Sequence, residues 1–383
     1  MITETSAVFG SVAPRYETVR TAFKATLDSG LEKGGHFAVF RNGSALVDIW
    51  GGLTADGTQT IKEDSLYSVF SATKALSSLC VALLVDRGIL DYEAPVANYW
   101  PEFTRNGKSG FSVGHLMSHQ VGLMGVSAAT TIEDFYAHDG VVALLANQEP
   151  DFEPGAWGYH PLTFGTLADE IVRRADGRTM SQFFIEELGA IAGGDAYLRL
   201  PQEADHRHCG VEKNPDLSTP QYDSPMPGPF MNSMTNPPID ADWGNQRSFR
   251  EAGQPGAGAS ANARGLARIF ASILDTEDPL ISPDTFAQAS QERVVGMDRG
   301  SGGIGRYAAG FRLNVGTMGS NPDSFGHAGL GGSVVFADPA RRLAIAYTTC
   351  RVINPSWQGI DPRLAILLRA LYECEGPLGG GAT

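Results

Sequence analysis

The chain has 383 residues, 42% of them hydrophobic, with 46 glycines, so it is long enough to bury one or two cores without a metal or disulfide staple. Its 29 basic and 43 acidic residues leave a net charge of -14, which repels polyphosphates and excludes a nucleic-acid partner. No run of about 18 apolar residues is long enough to span a bilayer, and cysteines 80, 209, 350 and 374 show neither CxxC nor Cys/His ligand spacing, so no metal site is expected.

From the N-terminus, MITETSAVFGSVAPRYE lacks a basic segment followed by an apolar one, which predicts a cytoplasmic protein. Val19, Phe23 and Leu27 have helical spacing, and Gly30 closes that helix. HFAVFRNGSALVDIWGG then reads as two strands joined by Asn42-Gly43, a dipeptide that accepts the positive φ angles of a tight hairpin. KALSSLCVALLVDRG is an apolar helix ending at Gly88, and VGHLMSH, TFGTLADEIVRRADG and MSQFFIEELG are helical as well. Between about 193 and 254 the chain turns to Gly, Pro, Asn and Asp, an irregular length that fits a wall of a binding site or a surface excursion. Ser333–Ala337 and Leu343–Thr349 form a second hairpin around Asp338-Pro339, and PRLAILLRALYEC closes the chain as a helix. Antiparallel strands and terminal helices thus occur at both ends, with helices between.

Two serines stand in hydrolase-like patterns. Gly110-Phe111-Ser112-Val113-Gly114 is a G-x-S-x-G, but the exposed serine of an α/β-hydrolase needs a buried strand running into the turn. PEFTRNGKSG before Ser112 is polar and glycine-interrupted, so Ser112 is expected to cap the helix that follows. Ser71 follows the β-rich LYSVF and directly precedes an apolar helix, whose N-terminus favours a developing anion. Lys74, one of only six lysines, stands at i+3 on the same helix side. Apolar chain around it is expected to lower the lysine pKa and let it take the serine's proton. Trp157-Gly158-Tyr159-His160-Pro161 brings a phenol to a turn, and FGHAGLGGS (325–333) brings glycines that let a backbone approach a ligand.

The order S-x-x-K, tyrosine loop, H-A-G before a late strand resembles the serine β-lactamase and penicillin-binding-protein superfamily over nearly the whole chain. LYSVFSATKALSSLCVALLVDRGILDYEAPVANYWPEF and FSVGHLMSHQVGL look like its class C β-lactamase-like branch, in particular the family VIII carboxylesterases, which often carry a non-catalytic G-x-S-x-G. The resemblance implies an α/β domain of antiparallel sheet and terminal helices from residues 1–80 and 255–383, and an inserted, mainly helical domain from 81–254. It implies Ser71 as nucleophile, Lys74 as base and Tyr159 as proton-transfer partner. The oxyanion hole would come from the backbone N–H groups of Ser71 and Leu330, and Trp157, His327 and Gly329 would bind substrate. Two positions depart from the family pattern: Pro161 stands for the asparagine of Y-x-N, and His327 for the lysine of K-T-G. Both changes remove groups that hold a lactam amide or carboxylate, which favours short neutral esters. The implied partner is a small-molecule ester, with no cofactor, and oligomeric state is open. Acyl transfer to an alcohol or amine, and β-lactamase or D-amino-acid amidase activity on the same fold, are the alternatives.

Overall fold

The computed structural model describes residues 6–213, 228–353 and 359–377. Nine strands form one antiparallel sheet: β1 (Val8–Val12), β2 (Gly34–Arg41), β3 (Ser44–Gly52), β4 (Val294–Met297), β5 (Ile304–Tyr307), β6 (Arg312–Leu313), β7 (Phe325–Ala328), β8 (Val334–Asp338) and β9 (Leu343–Thr349). Their spatial order is β1-β3-β2-β9-β8-β7-β6-β5-β4. The two chain ends therefore meet at the β2–β9 pair, where Ile345 faces Val39 and Tyr347 faces Phe37. Asn42 and Gly43 turn the first hairpin at φ 50° and 71°, the double positive φ that their side chains tolerate best.

Period-2 alternation in the central strands assigns each face its own partner. Phe37, Val39, Val334, Phe336, Ile345 and Tyr347 point to the face covered by α1 (Glu17–Asp28) and by the terminal helix Pro362–Glu375. Ala38, Ala337, Ala344 and Ala346 point the other way, where the core includes α2 (Thr73–Asp86) and the helices of the chain's middle. The small side chains on that face let the helix Ala263–Ser272 lie directly on β2 and β9. Both faces are thus covered, and β9 is buried along its whole length. All but two residues of α2 are buried, the pattern of a helix inside the core rather than on its surface.

The stretch from 193 to 254 is less irregular than its composition suggests: Gly228–Thr235 and Arg247–Ala252 are helical, anchored by the fully buried Phe230 and Phe249. Residues 214–227 lie outside the described residues. No helix among the described residues is long and apolar enough to cross a membrane. Cys80, Cys209 and Cys350 are buried and Cys374 is half-buried, all as free thiols.

One buried charge network fastens the terminal helix to the sheet. The Arg363 guanidinium, fully buried, donates to both carboxylate oxygens of Asp361, at 3.0 and 2.6 Å, and to the carbonyls of Gly331 and Arg351. It lies 3.6 Å from Glu32, which also accepts from the hydroxyls of Tyr347 and Thr349 and from the N–H groups of Lys33 and Gly34. Burial raises the Glu32 carboxyl pKa, and Arg363 pulls it back. Replacing Arg363 by leucine strands two carboxylates in the core, so Arg363→Leu is expected to cost about 3–5 kcal/mol in urea-induced unfolding.

Candidate active site

The chain reaches Ser71 through a two-residue strand, Tyr67–Ser68, that pairs with Ser260–Ala261. A 3-10 turn, Phe70–Ala72, leads into α2. Phe70 sits at φ 45°, a region that an aromatic residue enters only under constraint from its surroundings, at a strain of about 1–3 kcal/mol. Thr73 supplies that constraint: its hydroxyl donates to the Phe70 carbonyl at 2.5 Å and accepts from the Ala259 N–H at 3.0 Å. The strained turn places Ser71 at the mouth of the helix, on the wall of a cavity of about 460 Å³.

Lys74, one helical turn further on, is fully buried. Its amine donates to the carbonyls of Pro161 at 2.7 Å and Gly256 at 2.8 Å, and its nitrogen lies 3.4 Å from the Ser71 hydroxyl oxygen. No carboxylate pairs with it among the described residues. Burial drives its pKa well below the usual lysine value of 10.5, which shifts the group toward the free amine. The 3.4 Å contact is long, as hydrogen bonds to a catalytic serine commonly are before substrate binds.

Tyr159 covers the lysine, its ring centre 4.9 Å from the amine, and its side chain is hydrogen-bonded to Ser71. Burial pushes the phenol above its usual pKa of 10, so it stays protonated. The backbone N–H of Tyr159 donates to Asp298 Oδ1 at 3.1 Å, which fixes the loop. His160 pins it from the other side, with Nδ1–H donating to the Gly158 carbonyl at 2.6 Å and Nε2 accepting from the Leu123 N–H at 3.0 Å.

The opposite wall is the end of β7. A side chain on Gly329 would stand 2.0 Å from the Val69 carbonyl oxygen, so only glycine lets this segment press against the turn that carries Ser71. The N–H groups of Ser71 and Leu330 donate to no backbone acceptor among the described residues. His327 donates through Nδ1 to the Ala328 carbonyl at 2.7 Å, so its buried Nε2 is a lone-pair acceptor with no partner. Burial and the neighbouring Lys74 lower its pKa well below 6.5, and it brings no cation to the site. Trp157, His327, Gly329 and Leu330 line the same cavity as Ser71 and Tyr159. Met234 and Ile239, from the stretch read as either a wall or an excursion, line it too.

Several groups had no signal in the sequence. The carbonyl of Gly256 comes from 182 residues beyond Lys74. Pro161 lacks the side-chain donor of Y-x-N, yet its backbone oxygen still receives the lysine. Tyr307, in the plain stretch IGRY, stacks on Trp157 at 5.2 Å and on His119 at 4.8 Å. His119 is itself held at φ 64° and packs on Tyr159 at 5.0 Å.

The family described as Beta-lactamase matches residues 19–368, and the chain belongs to it. The fold is accordingly the β-lactamase-like one, an antiparallel sheet with helices on both faces. A family VIII carboxylesterase of known structure superposes with a TM-score of 0.89 at 35% identity, covering 96% of this chain and 100% of that one. A penicillin-binding protein homologue from Caulobacter crescentus gives 0.88 at 32%, covering 96% and 100%. The esterase/beta-lactamase LipL of Mycobacterium tuberculosis is 32% identical over 367 residues, covering 91% of this chain and 84% of that protein.

Ser112 has a different task. Its hydroxyl accepts from the His115 N–H at 3.2 Å, while the His115 ring accepts from the Ser112 N–H at 3.1 Å. This reciprocal capping box starts the helix Val113–Met117, and Ser112 is not among the residues lining the cavity. Ser112→Ala is expected to lower the unfolding free energy by about 1 kcal/mol, read by thermal denaturation.

Proposed function

We propose that this protein is a serine carboxylesterase acting on short-chain acyl esters through an acyl-enzyme on Ser71. The observation that carries the reading is Lys74, a fully buried amine whose polar partners among the described residues are two carbonyls and the Ser71 hydroxyl. Burial shifts an amine so placed toward its free base, one turn from the nucleophile it must activate. The resemblance to proteins described as carboxylesterase and esterase supports the choice of substrate bond.

In the proposed cycle Lys74 takes the Ser71 proton as Oγ attacks the ester carbonyl. The N–H groups of Ser71 and Leu330 receive the oxyanion, each such donor being worth about 3 kcal/mol in the transition state. Tyr159, protonated and bonded to Ser71, passes a proton to the departing alcohol as the C–O bond breaks. The Lys74 ammonium then reprotonates Tyr159. Water enters along the same path, gives a proton through Tyr159 to Lys74 as it attacks the acyl carbon, and the Lys74 ammonium returns that proton to Ser71 Oγ as the bond from Oγ to the acyl carbon breaks and the acid leaves. Trp157, His327 and Gly329 shape the substrate's seat. The same reading divides the chain into an α/β domain of residues 1–80 and 255–383 and an insert of 81–254, with the cavity lined from both.

Ser71→Ala and Lys74→Met are each expected to lower kcat/KM for a p-nitrophenyl short-chain ester by about 10³-fold or more. Ser112→Ala is expected to retain turnover, and the reverse pattern would overturn the proposal.

The pH profile gives a second test. The free amine is the active form, so activity is lost as pH falls through the folded-state pKa of Lys74 and retained above it. Since burial places that pKa well below 10.5, half-maximal kcat/KM is expected far below 10.5. Tyr159, raised above 10, is expected to add no alkaline limb before pH 10.

A further inference from the structure

The turn between β4 and β5 reaches the site through a carboxylate that the proposed cycle does not use. Asp298 is buried and lines the cavity with Ser71 and Tyr159. Its backbone closes the turn, the N–H donating to the Gly303 carbonyl at 2.8 Å and the carbonyl accepting from the Gly302 N–H at 2.9 Å. Its carboxylate accepts from the Gly300 N–H at 2.8 Å on Oδ1 and from the Ser301 hydroxyl at 2.7 Å on Oδ2, both inside the turn. The third donor, the Tyr159 N–H at 3.1 Å from Oδ1, stands 139 residues earlier in the chain. No cation pairs with this carboxylate among the described residues. A buried carboxylate held by neutral donors alone costs stability, and such departures are expected where a site needs them.

The same turn meets the tyrosine loop at a second point. The Arg299 N–H donates to the Trp157 carbonyl at 3.0 Å, so residues 298 and 299 hold residues 159 and 157 side by side. The fit is close: a side chain on Gly300 would stand 2.6 Å from Phe230 Cδ2, and one on Gly305 2.5 Å from the Trp157 ring. On the other side His119 holds the neighbours of Tyr159, its carbonyl accepting from the Gly158 N–H at 3.1 Å and its Nδ1 from the His160 N–H at 3.2 Å. The N–H between them is the one that Asp298 takes. Because the phenol oxygen lies at the far end of a rigid ring, a tilt of this peptide is carried to the atom that must meet the leaving group, and a misplacement of about 1 Å can cost about 10²-fold in rate.

We propose that Asp298 is a positioning residue for the proton donor, holding the Tyr159 phenol in line with the departing alcohol. This rests on the esterase cycle proposed above and deepens it, since it names what the β4–β5 turn contributes to the step in which the C–O bond breaks and the Tyr159 proton passes to the alcohol oxygen. Asp298 acts through Tyr159, so its effect is confined to esters whose alcohol needs a proton to leave. A p-nitrophenolate departs as the anion and needs none, whereas an alkoxide does.

The test compares p-nitrophenyl butyrate with ethyl butyrate on the full chain, the second followed by titration of the acid released. Asp298→Ala is expected to lower kcat/KM for ethyl butyrate by about 10²-fold and for p-nitrophenyl butyrate by less than about threefold. Asp298→Asn, which keeps an Oδ1 acceptor for the Tyr159 N–H, is expected to retain most of the activity on the ethyl ester. Tyr159→Phe is expected to show the same selective loss, and Asp298→Ala added to it to cause no further selective loss. Should Asp298→Ala fail to fold, Asp298→Ser, whose shorter side chain still bonds within the turn but does not reach Tyr159, carries the same expectation. An equal loss on both esters, no loss on the ethyl ester, or a further selective loss in the double variant overturns the inference. If Tyr159→Phe loses both esters equally, the proton-donor step falls and the inference with it. Failure of the wild type to cleave either ester, with Ser71 unlabelled by a fluorophosphonate, overturns the esterase reading instead.

Discussion

The site depends on keeping one amine dry and uncompensated. In the proposed cycle, a carboxylate beside Lys74 would favour its ammonium form and leave Ser71 without a base. The fold avoids this by surrounding the amine with acceptors that carry no charge. The carbonyls of Pro161 and Gly256 satisfy its N–H groups without favouring the cation as an anion would. The rings of Tyr159 and Phe164 close the remaining sides at 4.9 and 5.7 Å. The acceptors come from two distant loops, so the base exists only when those loops are folded against α2.

The rest of the architecture serves that convergence. Alanines on one face of β2, β8 and β9 let helices approach the sheet closely, and the bulky alternate residues seal the other face under α1 and the terminal helix. Arg363 links the sealed face to the site, because the Gly331 carbonyl it holds belongs to the segment that follows β7. Gly329 in that segment touches the turn of Ser71. A charge network in the core and the width of the oxyanion pocket are therefore joined through three residues of backbone.

How much of this was legible in the sequence follows from distance along the chain. Ser71 and Lys74 share one helical turn, so their relation is set by local geometry and could be read from SATK. The central hairpins and the terminal helices announced themselves through alternation, Asn42-Gly43 and apolar spacing. Ser112 was separable from Ser71 because the polar stretch before it could not be a buried strand, and the capping box agrees. Gly256, Tyr307 and Arg312 were invisible for the opposite reason. Gly256 comes to Lys74 on a turn 182 residues further on, Tyr307 and Arg312 line the cavity from β5 and β6, and β6 is two residues long, too short for any periodicity to show. Helix Gly228–Thr235 was hidden among prolines and glycines because tertiary burial of Phe230, rather than propensity, holds it.

Phe70 deserves a last consequence. A residue held at a positive φ is one where glycine would relax the backbone, so the substitution that most eases the turn also frees the serine that follows it. The Phe70 ring, buried and 6.4 Å from that of Phe249, offsets the strain with packing that glycine would forfeit, so one residue both anchors the turn and aims the side chain after it.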